Sequence, residues 1–270
     1  MSDSVTEKAF AKLNLSLSVC GIRGNYHEVE MLCQTIDLFD GVTLTRREDD
    51  LIRSDIEGDN SLVVLRALQK EFAFGGVEVH VKKRIPIGGG LGGSSADAAA
   101  AALAAANLFD LPLSRVKKIA APLFGDIAFQ MTKGTAIARG MGERIEPLPA
   151  LPPYFVLLAF PEKGVSTKEA FALSDGYKKS SADHLALYRA LMRGEKAQAY
   201  YANDLLPAAM ILNEAIEPLL RQMSDENSLL TGMTGSGSTL FSIYTRESDA
   251  ARKASNLPCR AFVTRFSRGI

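Results

Sequence analysis

Between residues 9 and 19 apolar and polar side chains alternate, with Leu13, Leu15, Leu17 and Val19 set between Lys12, Asn14, Ser16 and Ser18. A period of two is the mark of a strand, and it puts Lys12 and Asn14 side by side on the polar face. Residues 21–25 read as a turn, 26–38 as a second, mostly extended segment and 42–47 as a further strand. Asn60 is suited to cap a helix running to about Phe72, because its side chain can accept from the first free N–H groups. Val77, Val79 and Val81 then alternate with polar residues in another strand. That strand delivers the stretch Pro86-Ile-Gly-Gly-Gly-Leu-Gly-Gly-Ser-Ser-Ala-Asp97. An alanine-rich helix follows from 96 to about 109, with a second helix near 114–121 and a returning strand at 133–139.

Pro147-Leu-Pro-Ala-Leu-Pro-Pro153 reads as a stiff connector, so a boundary between two domains, 1–150 and 151–270, is placed there. Beyond it come an apolar strand at 154–160 and a helical region from about 181 to 223. Strands at 228–232 and 239–244 flank a Thr-Gly-Ser-Gly-Ser turn, and a helix at 247–255 precedes a last strand at 260–266. The order β-α-β-β-α-β is a split βαβ, ferredoxin-like layout with extra helix in its first crossover. The fold class expected is α+β in two domains.

Composition narrows the partners. Lys plus Arg and Asp plus Glu both number 31, so no excess charge favours nucleic acid or an anionic membrane. A 47% hydrophobic fraction with 23% charged residues is that of a globular protein with a buried core. Three cysteines, Cys20, Cys33 and Cys259, make no CxxC pair and no metal spacing, which fits a reducing cytoplasm. The alanine run is broken by Asp97 and Asn107, so it is not read as a membrane span.

The glycine stretch carries the strongest chemistry. Five glycines and two serines fall within residues 88–95, immediately ahead of a helix. Such a loop turns several N–H groups into one hollow, and the helix end adds partial positive charge, which together make a phosphate cradle. A flexible linker is the alternative, but linkers do not normally lead into a strong helix former. Gly88, Gly90 and Gly93 also satisfy the dinucleotide pattern G-x-G-x-x-G. Hairpin-like strands and the intervening Lys82–Pro86 argue against that fold. No Gly-Lys pair occurs, which excludes a Walker loop.

Other residues are ambiguous one at a time. The loop Thr231-Gly-Met-Thr-Gly-Ser-Gly-Ser238 is a hairpin turn or the second wall of a ligand site. Asp126, embedded in Phe124-Gly-Asp-Ile-Ala-Phe129, is a helix cap, half of an ion pair, or a working carboxylate. Lys12 is its natural cation, or an ordinary lysine on a sheet edge. Tyr26 and His27 are solvated turn residues, or a ring and an imidazole fit to stack on and bond a nucleobase.

Together these residues resemble the GHMP small-molecule kinases. Lys8–Leu17 is similar to the first motif of that family, Pro86–Ala99 to the second and Gly232–Ser238 to the third. Gly24-Asn-Tyr-His-Glu28, Asp59-Asn60, Lys83-Arg-Ile-Pro86, Val165-Ser-Thr167 and Asn203-Asp204 are similar to the branch that phosphorylates a cytidine-diphosphate-linked polyol for isoprenoid synthesis. The resemblance implies an N-terminal domain like ribosomal protein S5 domain 2 and a ferredoxin-like C-terminal domain. It implies Asp126 as general base and Lys12 as the cation beside it. Asn14, Tyr26, His27, Thr167, Gly235 and Ser236 would then hold the substrate. Asn60, Lys83, Pro86, Gly88, Gly89, Gly90, Leu91, Gly92, Gly93, Ser94, Ser95 and Asp97 would line the ATP site. Mg²⁺ would be held mainly by phosphates, with Ser95 as protein ligand.

This chain departs from the family pattern at several points. Phe10 stands in place of a proline, Ile127-Ala128 in place of Val-Pro, Ser94-Ser95-Ala96-Asp97 varies the loop, and Arg23-Gly-Asn25 lacks the usual aspartate. The expectation is a cytoplasmic ATP-dependent kinase, monomer or weak homodimer, acting on a small molecule and not on nucleic acid or membrane. The rivals are a kinase of the same family for homoserine or a mevalonate derivative, and an ATP-binding sensor without turnover.

Overall fold

The computed structural model describes residues 3–24, 26–56, 58–180 and 182–269. Asn25 at the expected turn and Ser181 at the expected helix start lie outside them.

The chain opens with two long antiparallel strands, β1 (Ser4–Arg23) and β2 (Tyr26–Arg46). The two segments expected at 26–38 and 42–47 are one strand. Three register shifts along the pair, at Phe10/Lys12, Asn14/Ser16 and Val19/Gly21, are bulges that bend it. Bending lets β2 serve two further neighbours on its other edge. Its residues 41–46 pair with β4 (Val77–Lys82), which in turn pairs in parallel with β3 (Ile52–Ser54). Its residues 29–34 pair with β5 (Thr135–Gly140), and β5 with β6 (Arg144–Leu148). Part of the expected proline connector is therefore strand, with Pro147 on an edge where no ladder donor is needed.

Helix α1 (Asn60–Phe72) begins one residue earlier than a cap at Asn60 would allow. Asp59 is its N-cap and accepts from the Ser61 N–H, so Asn60 is the first helical residue. Helix α2 (Gly93–Phe109) is buried at nearly every position from Ala96 to Ala106. Alanine makes this possible, because a helix clothed in methyl groups can approach sheet and neighbouring helices on all sides at once. The helices α3 (Leu113–Ala120) and α4 (Ile127–Thr132) complete this half.

The second sheet has the order β10-β7-β9-β8, built from β7 (Phe155–Phe160), β8 (Leu230–Met233), β9 (Leu240–Tyr244) and β10 (Arg260–Arg265). All its pairings are antiparallel, as the β-α-β-β-α-β order requires. Its first crossover holds α5 (Thr167–Ser174), α6 (His184–Met192), a 3₁₀ turn at Gln198–Tyr200, α7 (Leu206–Leu212) and α8 (Ile216–Met223). One long helical region was expected there. Pro207 at the start of α7 and Asn213 at its end divide it. The last helix is α9 (Glu247–Ala254).

The two sheets share a core. Ala11, Leu13, Leu15, Leu32 and Ile36 of the first cluster with Val156, Leu158, Phe241 and Ile243 of the second. The edge-lysine alternative for Lys12 fails on the other face of β1, which the glycine loop and the turn at 234–235 cover. Lys12 is 4% exposed and Asn14 fully buried, so the polar face of the strand is covered by the rest of the molecule. Lys12 is no edge lysine; it is a buried cation that must be matched.

Candidate active site

A cleft of about 1240 Å³ runs between the two halves. Every site residue expected from the sequence lines it except Asn60. Asn60 stands behind the wall, donating from Nδ2 to the Ser94 hydroxyl at 2.8 Å.

The glycine loop forms one wall and is clamped from two sides. The Lys12 N–H donates to the Leu91 carbonyl at 3.0 Å, which ties the loop to β1. On the other side Gly90 lies so near the β8–β9 turn that a Cβ there would come within 2.5 Å of the Thr234 carbonyl oxygen. Its φ of +73° is also one that a side chain disfavours, so only glycine fits. Thr234 itself joins the halves, its hydroxyl oxygen accepting from the Asn14 N–H at 2.9 Å and donating to the Gly90 carbonyl at 3.3 Å. Gly92, left-handed, is the N-cap of α2 and provides no capping side chain. No acid lies in the first turn of α2, so its free N–H groups and positive dipole end face the cleft uncompensated.

Beneath the loop lies an ion cluster. Lys83 Nζ is 2.5 Å from Asp40 Oδ2 and 2.6 Å from Asp97 Oδ2. Asp40, whose side chain is fully buried, also accepts from the N–H groups of Arg84 and Ile85, the latter at 2.8 Å. Burial pushes the Asp97 carboxyl up to about 7, with Lys83 opposing the rise and Asp40 adding to it. Lys83 and Asp97, expected at the nucleotide, thus reach the cleft wall already engaged with each other.

At the far end of the loop stand Lys12 and Asp126. Lys12 Nζ is 3.5 Å from Asp126 Oδ2 and donates to Asn14 Oδ1 at 2.5 Å. Asn14 is held in turn by contacts from Nδ2 to the sulfur atoms of Met31 and Cys33, at 3.1 and 3.3 Å. Asp126 occupies the N-cap position of α4, yet its carboxylate makes no capping hydrogen bond. Its side chain is 30% exposed and opens on the cleft. Helix capping is therefore not what this acid does.

The opposite wall comes from β2 and α5. His27 stacks on Phe171, centroids 4.8 Å apart and planes 23° off parallel, and its Nε2 is 2.9 Å from Asp175 Oδ1. Tyr26 beside it is 67% exposed. Thr167 and Ser236 share a hydroxyl–hydroxyl bond of 2.8 Å, and Asn203 Nδ2 donates to the carbonyls of Met233 and Gly235, both at 2.9 Å. Phe171 and Asp175 escaped the sequence reading, as did α5 itself, and Thr234 figures in it only as part of the 231–238 loop. One signal was available: Ser166 and Glu169 hold capping-box spacing, and the Ser166 hydroxyl does accept from the Glu169 N–H.

Among the described residues no group of three or more His, Cys, Asp or Glu is arranged to hold a metal ion. Among the same described residues no helix is long and apolar enough to cross a membrane.

Comparison with known proteins gives the same picture from another direction. Residues 60–138 match the profile described as the GHMP kinases N terminal domain, and residues 186–264 the one described as GHMP kinases C terminal. A protein of Pelotomaculum thermopropionicum named 4-diphosphocytidyl-2-C-methyl-D-erythritol kinase is 36% identical over 264 residues, covering 92% of each chain. A Rhizobium etli protein of the same name is also 36% identical, covering 94% of this chain and 90% of its own. A crystal structure of 4-(cytidine 5'-diphospho)-2C-methyl-D-erythritol kinase superposes with a TM-score of 0.84 at 29% identity, over 97% of this chain and 99% of the other. Homoserine kinase from Cytophaga hutchinsonii shares the fold, with a TM-score of 0.75 at 18% identity over 99% of this chain and 96% of the other. A glycine cradle at a helix end, a lysine–aspartate pair beside it and the relatives' names agree: the chain belongs to the GHMP kinase family.

Proposed function

We propose that this protein transfers the γ-phosphoryl group of ATP to the 2-hydroxyl of 4-diphosphocytidyl-2-C-methyl-D-erythritol. The observation that carries the reading is the Lys12–Asp126 pair, 3.5 Å apart, between an uncapped helix end and the stacked His27–Phe171 wall. The cradle of residues 88–95 binds the triphosphate through backbone N–H groups and the α2 dipole. Asp126 accepts a hydrogen bond from the substrate hydroxyl and takes its proton as the oxygen attacks the γ-phosphorus. The bond from that phosphorus to the β–γ bridging oxygen breaks, and ADP leaves. Lys12 neutralises charge as it gathers between acceptor and phosphate, and Asn14 holds its ammonium in place. Tyr26, His27 and Phe171 receive the cytosine, and Thr167, Gly235 and Ser236 the polyol side.

The donor set fits Mg²⁺ that arrives on the nucleotide. Ser95 lines the cleft, and no carboxylate cage is present among the described residues to compete for the metal. Bound there, with Ser95 as its protein ligand, the ion would offset negative charge on the phosphates. Residues 1–150 would then supply the cradle, the base and the Tyr26–His27 part of the opposing wall, and 151–270 the rest of that wall. A cytoplasmic location suits a free thiol set in which Cys20 is exposed.

A coupled ADP-release assay with the cytidine-linked alcohol, homoserine and mevalonate tests the reading. Turnover is expected with the first alone. Turnover only with one of the others would refute the substrate, and no ADP from any would refute the activity.

A further inference from the structure

The turn between β5 and β6, residues 140–143, lies between the two ends of the site. On one side Gly140 pairs with Val29, two residues beyond His27 on β2. On the other the turn presses on the residue before Asp126. A Cβ on Gly125 would overlap the Met141 carbonyl oxygen, and one on Gly142 would come within 2.5 Å of the Gly125 carbonyl oxygen. The two backbones are in direct contact, with room for no side chain between them.

Glu143 holds this turn. Its Oε2 accepts from the Met141 N–H at 2.6 Å, and its Oε1 accepts from Arg23 Nη2 at 2.7 Å. Arg23 is paired with Tyr26 across the β1–β2 hairpin and has Glu28 3.4 Å from its Nε. One carboxylate therefore joins the hairpin that carries Tyr26 and His27 to the turn that backs Gly125. Asp126 needs such support, because its own side chain makes no capping bond.

We propose that Glu143 is a positioning residue for Asp126, locking the 140–143 turn as a buttress behind Gly125 and joining it through Arg23 to the Tyr26–His27 hairpin. The base-binding end of the cleft and the carboxylate at the accepting hydroxyl then belong to one rigid frame. That frame sets the spacing between the two ends of the substrate. The inference rests on the role given to Asp126 above, and it predicts more than that role does.

The test is hydrogen exchange on the substrate-free protein together with steady-state turnover, for Glu143→Ala and Glu143→Gln. Glutamine keeps an oxygen for the Met141 N–H; alanine keeps nothing. In the alanine variant, amides at 124–127 should exchange faster. Its kcat should fall roughly ten- to a hundredfold, the scale of a reacting group displaced by about 1 Å, with the KM for ATP little changed. The glutamine variant should fall between it and the unaltered chain. Unchanged exchange at 124–127, an unchanged kcat, or a loss expressed mainly in the KM for ATP would overturn the proposal. If the alanine variant does not fold, Arg23→Gln on a half-exposed side chain replaces it. Faster exchange at both 124–127 and 140–143 then supports the buttress, and unaltered exchange at either refutes it. Exchange needs no substrate, so a failure of the unaltered chain to turn over would count against the proposed reaction alone.

Discussion

Asp97→Asn should make the protein more stable at alkaline pH, although it removes half of an ion pair. In the native state Lys83 lies between two carboxylates, so the buried cluster of Asp40, Lys83 and Asp97 has one negative charge too many when both acids are ionised. One oxygen of Asp97 is buried with no partner. Burial, opposed by Lys83, lifts this carboxyl from the usual 3.8 to about 7. The sign follows from proton counting. Between those values the folded chain binds the proton more tightly than the unfolded chain. Stability is therefore fully present below about pH 4 and is lost as pH rises through 7. At about 1.4 kcal/mol for each pH unit between the two values, the loss has a ceiling of roughly 4 kcal/mol. Asparagine keeps the oxygen that Lys83 donates to but puts an amide where the unpartnered oxygen was, a cost of about 1–3 kcal/mol. The variant should thus be slightly less stable than the native chain at pH 4.5 and more stable, by about 1–3 kcal/mol, at pH 8. Urea unfolding of both chains from pH 4.5 to 8.5 measures this. The difference between the curves cancels groups common to both, including His184, whose own titration is displaced downward by burial. Parallel curves would refute the reasoning.

Asp126→Asn and Lys12→Met should each keep the native circular dichroism and lower kcat at least about a hundredfold, the range for groups that move protons or offset developing charge; near-normal turnover in either sinks the mechanism. Thr234→Val removes the hydroxyl that the buried Asn14 N–H donates to, so urea unfolding should report a loss of about 1–3 kcal/mol. His27→Ala and Phe171→Ala should raise the KM for the cytidine-linked substrate about five- to a hundredfold, as base stacking of about 1–3 kcal/mol implies, and leave the KM for ATP unchanged. Equal effects on both constants would place the base elsewhere.

Much of this site is written locally. Glycine spacing before an alanine helix specifies a turn with free N–H groups, since backbone freedom and helix propensity are properties of the residues themselves. The alternation around Lys12 and Asn14 likewise determines that both point the same way from one strand, whatever packs there. The short motif around Asp126 and the second loop at 232–238 add the parts that identify the family.

Partner choice is another matter, because it depends on contacts between residues far apart in the chain. Nothing near Lys83 announces that Asp40, 43 residues earlier, meets it in the interior. Asp40-Gly41 reads as a break between strands, yet β2 runs straight through it. Whether Lys12 is an edge lysine or a buried cation depends on the glycine loop folding back over its face of β1, and only the tertiary structure decides that. Helix α5, eight residues long, brings Phe171 and Asp175 to His27 across almost 150 positions of sequence. A short helix of this kind draws its stability from packing, not propensity, so its residues carry little local trace of it. The chain's own pattern settles which groups are phosphate cradle, cation and acid. Which of them stay free to work, and which are bound to each other beside the loop, is decided by burial that only the folded chain produces.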